Sequence, residues 1–137
     1  MTKPTWDQYF ISIAEAVATR SPDPKYKVGA VVVSKENRIL GTGYNGFISK
    51  FNEDDIDWSN RDTIRPYIIH AEMNAILHSK TNLNNATLYV TLSPCKECIK
   101  LIAAAKITKI IYKHPYKDVE FVTNFCNNNH IALLQAT

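Results

Sequence analysis

The spacing of apolar positions changes several times along the chain, and each change marks a predicted element. Trp6, Tyr9, Phe10, Ile13, Ala14 and Val17 recur at intervals of three and four, which predicts an amphipathic helix over residues 4–20. Pro22 and Pro24 end it, because proline has no N–H to donate and restricts the residue before it. Two strand-like runs follow at 28–33 and 38–44, and the short Ser34-Lys-Glu-Asn37 link predicts a hairpin. Residues 45–66 lose periodicity and carry the acidic cluster Glu53, Asp54, Asp55 and Asp57, so they read as a long loop, either functional or a solvated excursion. Helical spacing returns from His70 through Ala71, Met73, Ala75, Ile76 and Leu77.

A short strand is predicted at 87–91, then a helix from Cys98 through Ala105, with Ser93 as N-cap and Pro94 at the first helical position. A strand at 107–112, a helix at 118–128 and a last strand at 130–134 complete the pattern. An opening helix and then β-β-α-β-α-β-α-β predicts a mixed sheet between helices. The last three strands should be parallel, because a helix connects each pair.

Composition narrows this little. A chain of 137 residues is read as one domain, 1–137, able to bury a core without disulfide staples. The net charge of +3 suits a small anionic molecule, and without a basic run of five residues a nucleic-acid partner is not the expectation. The N-terminus lacks a secretory pattern and no apolar stretch approaches the ~18 residues of a membrane span, so a cytoplasmic protein is expected. Two of the three cysteines form Cys95-Lys-Glu-Cys98, which argues against a disulfide framework.

The chemistry concentrates in His70, Glu72, Cys95 and Cys98. Both cysteines fall on one turn of a predicted helix start, where unpaired N–H groups favour thiolate. Zinc accepts such mixed nitrogen and sulfur donors, and three donors leave the fourth position open for water, as in catalytic rather than structural sites. Glu72 is then placed to move that water's proton. Alone, Cys-x-x-Cys also fits a redox pair or half of a four-cysteine site; a redox role leaves His70-x-Glu72 unexplained, and the chain has no second Cys-x-x-Cys. Together the residues match the H-x-E…P-C-x-x-C pattern of zinc-dependent nucleobase deaminases.

On Val28-Gly-Ala-Val-Val-Val33, Gly41-Thr-Gly-Tyr-Asn-Gly46, His70-Ala-Glu-Met-Asn-Ala-Ile76 and Ala86-Thr-Leu-Tyr-Val-Thr-Leu-Ser-Pro-Cys-Lys-Glu-Cys98, the chain resembles the cytidine/deoxycytidylate deaminase superfamily. It is most similar to the deoxycytidylate (dCMP) deaminases, over about residues 6–116. The resemblance implies an α/β fold, a cytidine-deaminase-like three-layer α/β/α sandwich around a central five-stranded mixed sheet. It implies one catalytic Zn2+ held by His70, Cys95 and Cys98, Glu72 as proton shuttle, and hydrolysis of dCMP to dUMP with release of ammonia. Backbone groups near Ala71 and Ser93 are expected to hold the pyrimidine edge.

Asn45 stands where the family binds the sugar, though a turn residue between glycines would look the same. Lys25 stands where the family carries a basic residue near the phosphate, with Lys27 close by; plain surface charge is the alternative. Tyr116 resembles a tyrosine that covers the pocket in relatives, and otherwise reads as an aromatic packing residue. Residues 1–69 contain no cysteine or histidine, so the second, structural zinc of some relatives is not expected. By the same resemblance a homo-oligomer, dimer or hexamer, is expected, and dCTP or dTTP effectors near Gly43–Gly46 or His78 and Lys80 are conceivable. The rival readings are deamination of dCTP, deoxycytidine or tRNA adenosine, and a non-catalytic zinc-stabilised nucleotide-binding protein. The second leaves a carboxylate beside the metal without a purpose.

Overall fold

The computed structural model describes residues 2–137. Helix α1 (Trp6–Ala18) starts at Thr5, whose hydroxyl accepts from the Gln8 N–H while the Gln8 side chain accepts from the Thr5 N–H. Strands β1 (Gly29–Val33) and β2 (Ile39–Tyr44) form the predicted hairpin. After a long excursion containing only the four-residue α2 (Arg61–Ile64) and short 3-10 turns come α3 (Ala71–Ser79), β3 (Thr87–Leu92), α4 (Lys96–Ala104), β4 (Lys109–His114), α5 (Val119–Asn128) and β5 (Ala132–Gln135). The sheet order is β2-β1-β3-β4-β5. The β1 pairings are antiparallel, and the β3–β4 and β4–β5 pairings are parallel as expected.

The alternation within β1 shows how three layers arise. All five residues of Gly-Ala-Val-Val-Val are buried, since both faces of this strand are covered. Val31 and Val33 join Phe10, Ile11 and Ala14 of α1, together with Tyr89 and Ile111, on one side. Ala30 and Val32 point to the other side, where α3, α4 and α5 contribute Ala71, Ala75, Ile99, Ile102, Val122 and Cys126. The sandwich expected from the resemblance is therefore the observed architecture.

Two local expectations need correction. Trp6 and Tyr9 belong to the helical stripe, yet remain 57% and 44% exposed. Helix α1 lies alone on its side of the sheet, so only the centre of its broad apolar stripe finds a partner. Ser93 does not cap α4; the N-cap is Cys95, whose Sγ accepts from the Cys98 N–H at 3.4 Å. Pro94 therefore precedes the helix, and the capping atom is itself a candidate metal ligand.

Two glycines set how closely α3 lies on the sheet. A Cβ on Gly41 would come 2.6 Å from the Ala75 carbonyl oxygen, and one on Gly43 would come 2.5 Å from that of Ala71. Only glycine lets strand backbone and helix backbone meet this closely. The loops 21–28, 45–70, 93–95 and 114–118 gather at the end of the sheet where β3 finishes and β1 begins, as the Gly29 N–H to Thr91 Oγ1 bond of 3.2 Å shows. No helix of the described residues is long and apolar enough to cross a membrane.

Candidate active site

His70 is the N-cap of α3, with extended backbone (φ −68°, ψ 155°). The residue before it is fixed by a reciprocal backbone pair, Gly46 N–H to Ile69 O at 3.0 Å and Ile69 N–H to Gly46 O at 2.7 Å. Cys95 caps α4 and Cys98 follows one turn later, so two helix starts converge on one point. His70 Nδ1 lies 3.1 Å from Cys98 Sγ and 3.5 Å from Cys95 Sγ, and the three donor atoms all lie within 4.8 Å of one another. Tetrahedral zinc, with bonds of about 2.0–2.3 Å, holds neighbouring donor atoms roughly 3.6–3.8 Å apart. The donor types and their closeness suit that ion, with the His70–Cys98 pair opening by about 0.5 Å to reach tetrahedral spacing.

In the metal-free cluster Cys95 is the thiolate, and a cation that binds all three donors displaces the protons of His70 and Cys98. A hydrogen bond from the Cys98 thiol, with His70 beside it, outweighs burial and brings Cys95 down to about 4. Cys98, the donor and itself buried, is pushed up. His70 is raised, first by its hydrogen bond to Cys95. Burial pushes the Glu72 carboxyl up to about 7, against the opposing pull of its own backbone N–H and of His70. Glu72 is only 5% exposed and lines the same cavity as His70 and Cys95. A buried carboxyl poised near neutrality beside a metal-binding cluster has the properties of a general acid–base.

The cavity is about 430 Å³, a volume suited to a nucleotide-sized ligand. Ala71, Asn45, Ser93 and Tyr116 line it alongside the cluster, as the sequence suggested. Asn45 is 8% exposed, and its amide clamps the preceding loop by accepting from Val28 N–H at 2.8 Å and donating to Tyr26 O at 2.7 Å. The Ser93 N–H is committed to His114 O at 2.9 Å, so it is not the group that faces a ligand. The Ser93 hydroxyl accepts from the Tyr116 N–H at 2.7 Å, which fixes the tyrosine at the rim. Ala71, the first residue of α3, offers a helix-start N–H with no intrahelical partner.

Lys25 is placed elsewhere. It lies in a neighbouring groove with Lys27, Lys113 and His114, its Nζ 5.2 Å from the centre of the Tyr26 ring. The cations in the cavity wall are Arg61, Arg65 and Lys117. Sequence reading missed the two arginines because they sit in the aperiodic segment. The one signal was an unusually long loop, and the partner that fixes Arg61, Asp23, lies 38 residues away. His78 and Lys80 are exposed at the far end of α3 and do not line the cavity.

Comparison with known proteins follows the same lines. The family model described as "Cytidine and deoxycytidylate deaminase zinc-binding region" matches residues 4–114. The deoxycytidylate deaminase of Homo sapiens is 42% identical over 113 residues, 78% of this chain and 64% of that protein. The chain thus spans slightly less than two thirds of the human relative. The deoxycytidylate deaminase of Mycobacterium phage D29 is 43% identical over 126 residues, 82% of this chain and 97% of that protein. The crystal structure of dCMP deaminase from the cyanophage S-TIM5 in complex with dCMP and dUMP superposes with a TM-score of 0.79 at 27% identity. It covers 99% of this chain and 100% of that one.

Proposed function

Because the chain belongs to the cytidine and deoxycytidylate deaminase zinc-binding family, we propose that it hydrolyses dCMP to dUMP and ammonia, with His70, Cys95 and Cys98 as zinc ligands and Glu72 as proton shuttle. The observation that carries this reading is the buried carboxyl of Glu72 beside a three-donor cluster, in the wall of a nucleotide-sized cavity. Three donors from the chain leave a coordination position for water, as in catalytic sites. A zinc ion there supplies Lewis acidity, making water acidic enough to act as a nucleophile near pH 7.

Glu72 takes the proton of the attacking water and delivers it to N3 of the cytosine ring as the C4–O bond forms. It then takes the remaining proton from the C4 hydroxyl and passes it to the amino group, so that C4=O forms as the C4–N bond breaks and ammonia leaves. Burial raises this carboxyl above the ordinary carboxylate range, which suits a group that must first accept and then return a proton. The N–H at Ala71 lies beside Glu72 at the start of α3, placed to meet the pyrimidine edge. Asn45 keeps unused amide valences toward the sugar, and Tyr116 covers the opening.

The substrate is a nucleotide rather than a nucleoside: the matched relatives are named for dCMP, and three cations line the cavity. One deaminase domain accounts for residues 1–137, acting in the cytoplasm, where its three free cysteines stay reduced. A homo-oligomer belongs to the same reading, and Trp6 and Tyr9, exposed side by side on α1, are an apolar contact available to it. The test is ammonia release from zinc-loaded protein given dCMP, CMP, dCTP, deoxycytidine and tRNA. Turnover of dCMP above the others is expected, and a protein that leaves dCMP untouched contradicts the reading. Glu72→Ala should retain zinc and lose turnover by about 10²–10⁴-fold.

A further inference from the structure

Resting on the reading of this site as a nucleotide deaminase, we infer that Asp23 is a positioning residue. It holds Arg61 as the side chain that distinguishes a phosphorylated substrate from a nucleoside. Arg61 donates to Asp23 through both ends of its fork, Nη1 to Oδ2 at 2.9 Å and Nη2 to Oδ1 at 2.7 Å. The guanidinium is also packed between aromatic rings, 5.0 Å from the centre of Tyr26 and 5.5 Å from that of Trp58. Its side chain is 30% exposed and lines the cavity that holds Glu72 and the metal-binding cluster.

Asp23 can act as an anchor because it is itself fixed. Its side chain is 4% exposed, and Oδ1 also accepts from the Lys25 N–H at 2.8 Å and the Tyr26 N–H at 3.0 Å. The loop around it is tied down by Asn45, whose amide holds Tyr26 and Val28 and whose carbonyl accepts from Ser21 Oγ. Arg61 meanwhile stands on a segment closed at its base by the Gly46–Ile69 pair and filled by the adjoining Phe47, Phe51, Trp58 and Tyr67 rings. Two rigid loops from distant parts of the chain therefore fix one guanidinium.

A guanidinium has five N–H donors in a rigid fork, and Asp23 takes two. Among the described residues Arg61 donates to no other protein group, so three donors remain for a ligand. Its rotamer freedom was lost on folding, and an anion that binds it incurs no further ordering cost. The other cations of the cavity work differently. The Arg65 side chain is 70% exposed and, among the described residues, pairs only with the exposed Asp62, and Lys117 is exposed as well. These two raise the local potential, which attracts any anion, whereas Arg61 offers directed donors that stay unpaired when a nucleoside binds. A phosphate replaces water on these donors with charge-assisted bonds that a nucleoside cannot make, so the smaller substrate is held less tightly.

The experiment compares dCMP with deoxycytidine on zinc-loaded wild type, Arg61→Gln, Arg61→Lys, Asp23→Asn and the Asp23→Asn/Arg61→Gln double variant. Arg61→Gln is expected to lower the ratio of kcat/KM for dCMP over deoxycytidine by about 10–100-fold, mostly through KM. Asp23→Asn should lower it by about tenfold, and the double variant should be no worse than Arg61→Gln alone. Inorganic phosphate should inhibit wild type competitively and inhibit Arg61→Gln and Asp23→Asn less. If Asp23→Asn does not fold, Arg61→Gln against Arg61→Lys carries the same test, since lysine loses the fork. An unchanged ratio, with both substrates declining together, would make the pair a structural staple and overturn the inference. Failure of the underlying nucleotide reading shows separately, as absence of dCMP turnover in the wild type.

Discussion

Substituting Gly43 by alanine tests whether the spacing between sheet and helix sets the active site. A Cβ at Gly43 would stand 2.3 Å from the Ala75 amide nitrogen, 2.5 Å from the Ala71 carbonyl oxygen and 2.7 Å from Asn74 Cβ. The first two are backbone atoms, so no rotamer change relieves the contact. Reaching an ordinary separation of about 3.5 Å requires α3 to move by about 1 Å. No glycine of the described chain has positive φ, so alanine meets no backbone strain and the steric effect is isolated. The helix start carries His70 and Glu72, while Cys95 and Cys98 stand on α4 and do not follow. A displacement of that size costs about 100-fold in turnover, and overpacking costs about 2 kcal/mol, roughly 8 °C in Tm for a domain this size. Gly46→Ala is the control, since its nearest neighbour is the Tyr44 ring at 3.3 Å. Gly41→Ala presses on Ser79 and Ala75 near the far end of α3 and should lower Tm as much with a smaller loss of turnover. The assay is steady-state deamination of dCMP, with zinc content by elemental analysis and Tm by calorimetry. A Gly43→Ala protein with wild-type kcat and full zinc occupancy would refute the reasoning.

Other consequences can be measured directly. After chelation, alkylation should modify Cys95 first, because its thiol is held near 4, while Cys126, buried on α5 and pushed up to about 11, reacts last. Zinc-loaded protein should show Cys95 protected, and peptide mass mapping that finds Cys126 equally fast would contradict this. Burial alone would raise the Asp23 carboxyl, but the Arg61 guanidinium and the Tyr26 and Lys25 N–H groups outweigh it and hold it below the usual range. A carboxyl lowered in the folded state stabilises fully above its unfolded value of about 3.9, and that stabilisation fades as pH falls further. The stability gap between wild type and Asp23→Asn, about 1–3 kcal/mol at pH 7, should therefore hold to pH 5 and narrow below about 4 in urea titrations. A gap unchanged at pH 3 would show that the ion pair is not its source. Ser93→Ala removes the acceptor for the Tyr116 N–H and should cost about 1 kcal/mol of stability, with a several-fold rise in KM for dCMP if the tyrosine covers the substrate.

Much of this was legible along the chain. Short apolar runs and period-three-to-four spacing located every strand and every long helix, because a strand covered on both faces is apolar throughout and a helix needs an apolar stripe. The cluster was legible too: His70-x-Glu72 and Cys95-x-x-Cys98 sit within single helix turns, where short sequence spacing fixes spatial spacing. The mistakes came where neighbours decide. Trp6 and Tyr9 fit the stripe of α1, but no second helix stands beside α1 to cover them. Ser93-Pro94 reads as a cap, yet Cys95 takes that place and the Ser93 hydroxyl holds Tyr116 instead.

The sequence by itself determined the layered fold, the candidate zinc donors and the carboxyl beside them, since these rest on periodicity and on contacts within a few residues. Only the tertiary structure decided that His70 and the two cysteines meet, with Gly43 seating α3 close on the sheet. It also decided which cations face the cavity. Lys25 stood nearest in sequence to the expected position, but the turn around Asp23 and Asn45 leaves it in the neighbouring groove. Arg61 arrives from an aperiodic segment because a buried carboxylate 38 residues away accepts both ends of its fork. Pairings over that separation leave no periodic trace in a sequence, because they depend on where loops converge once the sheet has formed.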